Sequence, residues 1–213
     1  MYRIIMLIIG YLLGSIQFSI IYSKYFAGKD IREQGSGNAG STNVIRIYGK
    51  RIGISVFCCD FLKAALAVLI ARIIFRDHQL IAALYAAIGA IIGHSYPLYF
   101  GFKGGKGVAV TVGSIYTINL LIGIISTIVF YISLKLTRMV SLSSMLLTSS
   151  VPICLYFLYR GRPYTCEAVI LGCVIAGLTI FRHHSNIARI INGTESKTRA
   201  KNKGPESQID PQE

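Results

Sequence analysis

Residues Val108 to Leu134 read VAVTVGSIYTINLLIGIISTIVFYISL, 27 residues without a charge. As one helix this run would be about 40 Å long at ~1.5 Å per residue, against a hydrocarbon core of about 30 Å. Thr111, Ser114, Thr117 and Asn119 make its first half polar. Two readings compete: one tilted span, or two shorter elements broken near Thr117–Asn119. The choice decides on which side of a membrane the rest of the chain falls.

The surrounding sequence makes a membrane the relevant solvent. The chain has 213 residues, 53% hydrophobic and only 15% charged, where a soluble domain averages about 25% charged. Its apolar residues come in long blocks, which predicts an all-α polytopic membrane protein. The short alternating segments of a β-barrel are absent. Ile4–Tyr22 is a first span, too long and too uninterrupted for a cleaved signal. Ile52–Phe75 is the second, and Leu80–Ile92 begins the third. Val140–Tyr159 and Cys166–Ile180 follow the 27-residue run. The five cysteines lie in apolar segments without metal-type spacing, as small buried hydrophobes would. The net charge of +13 then points to positive-inside topology, anionic headgroups and an anionic substrate, not to nucleic acid.

Three polar clusters interrupt the apolar blocks. Gly35 to Asn43 carries glycines, hydroxyls and two asparagines, followed by Arg46. Gly93 to Gly107 carries His94, Pro97, Lys103 and Lys106 among five glycines. Arg182 to Glu195 carries His183, His184, Asn186 and Arg189. If Val108–Leu134 is one span, the third cluster lies opposite the other two; if it is two elements, all three share a face. Charge favours the second option. The shared face then holds Lys24, Lys29, Arg32, Arg46, Lys50, Arg51, Lys103, Lys106, Lys135, Arg138 and the basic C-terminus. The other holds only Arg3, Arg72, Arg76, Arg160 and Arg162. By the Lys/Arg rule the rich face is cytoplasmic. The expected fold is seven membrane-embedded helices, N-terminus outside and C-terminus inside. Residues 1–195 form one transmembrane domain, and 196–213 a polar, basic, disordered tail.

Lys103-Gly104-Gly105-Lys106-Gly107 is the kind of loop whose backbone N–H groups wrap a phosphate, with lysines for charge and a helix N-terminus after it. It is not a Walker A loop, because the GxxxxGK[ST] spacing is missing. His94 is either a general base or a residue that orders this loop. His183 and Asn186 share a helical face and can bind a hydroxyl or a phosphate. Asp60 and Lys63 also share a face inside the second span, where ionised groups are functional or paired with each other. Carboxylates near the clusters are few, Glu195 being the obvious one. No nucleophile motif, metal cluster or cofactor site is present. Such an inventory suits two phosphorylated molecules held so that one attacks the other, with positioning and charge neutralisation supplying the rate.

Together the clusters resemble the bacterial membrane glycerol-3-phosphate acyltransferases that use acyl phosphate as donor. The matching residues are Ser36-Gly37-Asn38-Ala39-Gly40-Ser41-Thr42-Asn43, Gly93-His94 through Pro97 to Phe102-Lys103-Gly104-Gly105-Lys106-Gly107-Val108-Ala109, and Arg182-His183 through Asn186-Ile187-Ala188-Arg189 to Gly193-Thr194-Glu195. The resemblance covers residues 1–195. It departs at Ser41, where the family usually has Ala, and at His184, where another basic residue is common. It implies transfer of a fatty acyl group to the 1-hydroxyl of glycerol 3-phosphate, giving 1-acyl-glycerol 3-phosphate and phosphate without a cofactor. It also implies a membrane-lipid environment and, as a partner, the enzyme that makes acyl phosphate. His183, Asn186 and Ser36 would be catalytic. Asn38, Thr42, Asn43, Arg46, His94, Lys103, Gly104, Gly105, Lys106, Gly107, Arg189 and Glu195 would bind substrate. The loop and Thr42 would hold the acyl phosphate; Arg46, a loop lysine, His183 and Asn186 would hold glycerol 3-phosphate. The base is His183 or a phosphate oxygen of a bound substrate.

A transporter or flippase for an organophosphate or anionic lipid is the competing reading. Transporters place their site near the bilayer midplane between repeats, whereas these motifs sit at span ends and no repeat is visible. A scaffold binding anionic lipid needs only bulk charge, not paired Asn, His and Gly motifs.

Overall fold

The computed structural model describes residues 1–198, and all regular structure among them is helical. Ten α-helices follow in order: α1 (Tyr2–Gly14), α2 (Phe18–Tyr25), α3 (Ser41–Tyr48), α4 (Lys50–Ile74), α5 (Gln79–Ser95), α6 (Val108–Ile118), α7 (Leu120–Thr137), α8 (Val140–Tyr159), α9 (Thr165–Arg182) and α10 (His184–Ile191). Six segments are long and apolar enough to cross a membrane: Tyr2–Tyr25, Lys50–Ile74, Arg76–Phe100, Leu120–Thr137, Val140–Tyr159 and Thr165–Arg182; α6 is a shorter apolar helix. The outer surface is oily in stripes. On α4, Leu62, Leu66, Leu69 and Ile73 are all exposed at the i, i+4, i+7 spacing of one helical face. A face of that kind belongs against lipid. The expected tail lies outside the described residues from 199 onward.

The run Val108–Leu134 is two helices. Asn119 is extended between them, and its Oδ1 accepts from the N–H groups of Leu121 (2.9 Å) and Ile122 (3.4 Å). It is therefore the N-cap of α7. Its Nδ2 donates to the Tyr159 hydroxyl at 3.1 Å. Arg72 donates to the Thr117 carbonyl at the end of α6. The break is thus supplied with partners for the backbone groups it frees.

A second break lies where the sequence reading has an unbroken span. The run Ile4–Tyr22 divides at Ser15–Gln17, where Gln17 is extended. The reason is side-chain chemistry. Ser15 Oγ bonds back to the Tyr11 carbonyl at 2.8 Å, the freed Ile16 carbonyl accepts from Lys63, and Gln17 turns inward to the His94 carbonyl at 3.0 Å.

Around these breaks the helices pack on small residues. A Cβ on Gly10 or Gly14 of α1 would lie 2.1 or 2.2 Å from the carbonyl oxygens of Ala86 and Ala90 on α5. One on Gly89 or Gly93 would meet the Leu7 and Tyr11 carbonyl oxygens as closely. Two small-xxx-small faces therefore let the two backbones touch, as helices packing in lipid commonly do. The main core joins α4 to α9 through residues such as Val68, Leu84, Ile91, Ile115, Leu155 and Ile175. The cysteines depart from expectation. Only Cys154 is buried, while Cys58, Cys166 and Cys173 are exposed, on outward helix faces where lipid suits an apolar thiol.

Candidate functional site

The three clusters meet at one end of the bundle. The first and second are joined at Arg32, whose Nη1 donates to the carbonyls of Phe100 (2.7 Å) and Lys103 (3.2 Å). Asp30 holds Arg32 through a 2.7 Å ion pair; hydrogen bonds from that guanidinium keep the Asp30 carboxyl well below its usual range. Gly105 packs against the Ala39 carbonyl, which a Cβ there would approach to 3.0 Å. The second and third clusters are joined at Arg182, whose guanidinium donates to the Gly105 carbonyl at 3.2 and 3.3 Å and lies 4.9 Å over the Tyr96 ring. They are joined again where Lys106 Nζ donates to Asn186 Oδ1.

The second joint organises the charged centre. Asn186 passes its Nδ2 to Glu195 Oε1 at 2.7 Å; Ser141 Oγ donates to the same oxygen at 2.7 Å, and Arg189 Nε to Oε2 at 2.8 Å. Burial opposes ionisation of Glu195, yet the hydrogen bonds from Ser141, Asn186 and Arg189 hold its carboxyl below the usual range. Burial, together with the charges of Arg189 and Arg182, pushes Lys106 down to about 8. His183 is the single residue between α9 and α10, and it is buried. Its Nδ1 lies 2.8 Å from the Thr179 carbonyl. A carbonyl only accepts, so Nδ1 carries the proton and Nε2 keeps a free lone pair. Burial first, then the neighbouring Lys106 and Arg182, pushes the ring down to about 4, so it is neutral at pH 7.

The glycine loop is used differently from the expected wrap. The amides of Gly104 and Gly105 donate to the Ser95 and His94 carbonyls at 3.2 and 3.0 Å. Among the described residues the Lys103 amide of the loop lacks a partner, and so do the Lys106 and Gly107 amides that precede α6. Gly107 has φ +81°, a left-handed turn that starts α6. An anion here meets Lys106, those two amides and the N-terminus of α6.

Other expected contacts are displaced. The Asn43 side chain is buried; both its N–H groups go to the Ile31 and Gln34 carbonyls, and its oxygen accepts from the Ser36 amide at 2.9 Å. It braces the first loop and has no donor left for a substrate. His94 is also buried, with its Nε2 against Gly105 near the Ala39 carbonyl. Glu195 faces Asn186, Ser141 and Arg189 as an acceptor, which suits an orienting role and not a contact with phosphate. Ser36, Thr42, Arg46 and Lys103 are exposed, and among the described residues their side chains make no hydrogen bond or ion pair. Thr42 and Arg46 stand one turn apart on α3 and so share a face. Asn38 is half-buried beside Gly40. The sequence reading gives no role to Ser141, and it gives Arg182 a place in the third cluster without a sign that it ties down loop carbonyls. An apolar cavity of about 220 Å³ lies between α2 and α4, lined by Phe18, Tyr22, Phe26 and Val56 among others.

Known proteins carry the same pattern. The glycerol-3-phosphate acyltransferase family model matches residues 4–193. A glycerol-3-phosphate acyltransferase of Shouchella clausii is 41% identical over 189 residues, 88% of this chain and 92% of its own. One of Clostridioides difficile is 40% identical over 198 residues, 91% and 94% of the two chains. The crystal structure of PlsY (YgiH), an integral membrane glycerol 3-phosphate acyltransferase, in its glycerol 3-phosphate form superposes with a TM-score of 0.83 at 36% identity, covering 92% of this chain and 96% of that one. Its lysophosphatidic acid form gives 0.80 at 35% identity. With its three clusters assembled at one end of an all-helical membrane fold, this chain belongs to the glycerol-3-phosphate acyltransferase family of membrane enzymes.

Proposed function

We propose that the chain transfers a fatty acyl group from acyl phosphate to the 1-hydroxyl of glycerol 3-phosphate, at the cytoplasmic face of a bacterial inner membrane. The observation that carries this is the chain of contacts Lys106–Asn186–Glu195–Arg189 beside His183, at the polar end of an apolar helix. Two cations and a neutral imidazole thus lie close together. The relatives named above include a structure with glycerol 3-phosphate and one with lysophosphatidic acid, which supports the acceptor and the product.

In this reading the loop, with Lys106 and Thr42, takes the donor's phosphate, and Arg46, His183 and Asn186 take glycerol 3-phosphate. Ser36 and Asn38 order the first loop. The 1-hydroxyl oxygen attacks the acyl carbon, the carbon–oxygen bond to phosphate breaks, and its electron pair leaves with phosphate. The proton's destination follows from basicity. A general base works best with a pKa near the operating pH. His183 lies at about 4, whereas a phosphate's second ionisation lies at about 6. Phosphate is therefore the better acceptor, and the His183 Nε2 lone pair orients the attacking hydroxyl. The acyl chain stays in the bilayer, since withdrawing it costs about 0.8 kcal/mol per CH₂; the apolar groove between α2 and α4 gives it a place to lie. The enzyme that makes acyl phosphate is the natural supplier.

The test is purified protein with palmitoyl phosphate and labelled glycerol 3-phosphate, scored for lysophosphatidic acid. Folded protein that makes no product refutes the enzyme reading and leaves a transporter or scaffold. A reporter fused at Asn119 should read outside the cell; a cytoplasmic signal there refutes the orientation.

A further inference from the structure

One charged cluster takes no part in the chemistry above. Asp60 and Lys63 lie in the middle of α4, buried, with Lys63 Nζ 2.7 Å from Asp60 Oδ1. Ionised side chains at that depth are costly and are kept for a reason. A pair that only fastened helices would be complete in itself, but this one continues. Lys63 also donates to the Ile16 carbonyl freed by the break in the first span, and Nζ lies 3.1 Å from His94 Nδ1. Those three contacts use all three ammonium protons.

The direction of the last contact follows from valence. An ammonium has no lone pair, so His94 Nδ1 accepts. A neutral ring then carries its proton on Nε2. Gln17, from the joint between α1 and α2, adds a donor on the same side, 3.5 Å from Nδ1. On the other side of the ring, Nε2 lies 2.2 Å from where a Cβ on Gly105 would sit, a point 3.0 Å from the Ala39 carbonyl oxygen. Nε2 has no hydrogen-bond partner among the described residues, though His94 is only 2% exposed. An unpartnered N–H that keeps a little accessible surface is thus aimed at the seam where the first and second clusters meet.

We infer that Asp60 and Lys63 are positioning residues of the site: they fix His94 as the Nε2–H tautomer and present that N–H to an oxygen of the phosphate bound at the Gly104–Gly107 loop. Without the lysine the ring is free to move its proton to Nδ1. Nε2 then turns a lone pair toward the phosphate, and attraction becomes repulsion. The inference rests on the reading that this loop takes the acyl phosphate, and the experiment keeps the two apart.

The double variant Asp60→Asn/Lys63→Met removes both buried charges at once, a change a fold usually tolerates better than removal of one. Palmitoyl phosphate binding, measured without glycerol 3-phosphate, should weaken about tenfold or more, the scale of a hydrogen bond to a charged group. Glycerol 3-phosphate binding and the thermal unfolding midpoint should stay near wild type. A folded double variant that binds both ligands as wild type does overturns the inference and leaves a pair that fastens α4 to α1 and α5. Lys106→Ala is the control for the underlying reading: if it weakens glycerol 3-phosphate alone, the loop assignment fails, whatever the double variant does. If the double variant does not fold, ¹⁵N spectra of His94 in the wild-type protein in bilayers decide. An Nε2–H resonance that shifts when palmitoyl phosphate is added supports the inference; an Nδ1–H form overturns it.

Discussion

At the scale of single residues, the site depends on which way side chains point. Gly105 is wedged between the His94 ring and the Ala39 carbonyl. A methyl group there cannot fit unless the loop moves. Gly105→Ala should therefore cost about a hundredfold in kcat/KM, as an ångström-scale misplacement does, while the unfolding midpoint barely changes. Lys106 gives a pH limb. Its ammonium in the free enzyme loses its proton at about 8, so it is charged below that pH and neutral above it. The folded value is below the ordinary one, so the attraction for phosphate is present at neutral pH and fades as pH rises through 8. A profile of kcat/KM should fall on its alkaline side near that pH, and Lys106→Arg should move the limb upward. A flat profile to pH 10 counts against Lys106 as the phosphate's cation. The residue types of the site were legible in the sequence, because histidine, asparagine, lysine and glycine between apolar blocks have few other uses. Orientation was not legible. Asn43 has the composition of a ligand contact, yet its side chain points into the framework. Nothing in a string of letters tells an asparagine that braces a loop from one that reads a substrate.

At the scale of elements, the two chain breaks show what pattern reading can and cannot find. The break at Asn119 was visible because an asparagine sits at the end of a polar stripe in a run too long for one span. The break at Ser15–Gln17 was not, because the run Ile4–Tyr22 has an ordinary length and its polar residues look like one mild helix face. What breaks it is tertiary: Lys63 reaches the Ile16 carbonyl from another helix, and a carbonyl must be free to be reached. Asn119→Ala removes the cap of α7 and a bond to Tyr159. It should cost about 1 kcal/mol of stability, the usual worth of an N-cap, seen as a lower unfolding midpoint in detergent with catalysis unchanged. An equal loss of activity at a temperature where the variant is folded would instead link α7 to the site.

At the scale of the whole molecule, the helical membrane class was legible from composition, and the meeting of the clusters from counting helices between them. The closeness of α1 and α5 was not, because Gly10, Gly14, Gly89 and Gly93 read as ordinary small residues until their partners are known. The joint at His183 has a consequence of its own. It places His183 at the polar end of a helix apolar enough to cross the membrane, with α10 beginning at the next residue. On the function proposed above, the reaction is thereby held at one depth, where an oily tail meets a soluble headgroup. One substrate then arrives from a volume and the other from a surface. The rate depends on the moles of donor per mole of lipid, not per litre of suspension. Adding inert lipid at constant donor and enzyme should slow the reaction in proportion, while diluting the whole suspension at saturating glycerol 3-phosphate should leave turnover per enzyme unchanged. Dependence on bulk donor alone would place the donor's path in water.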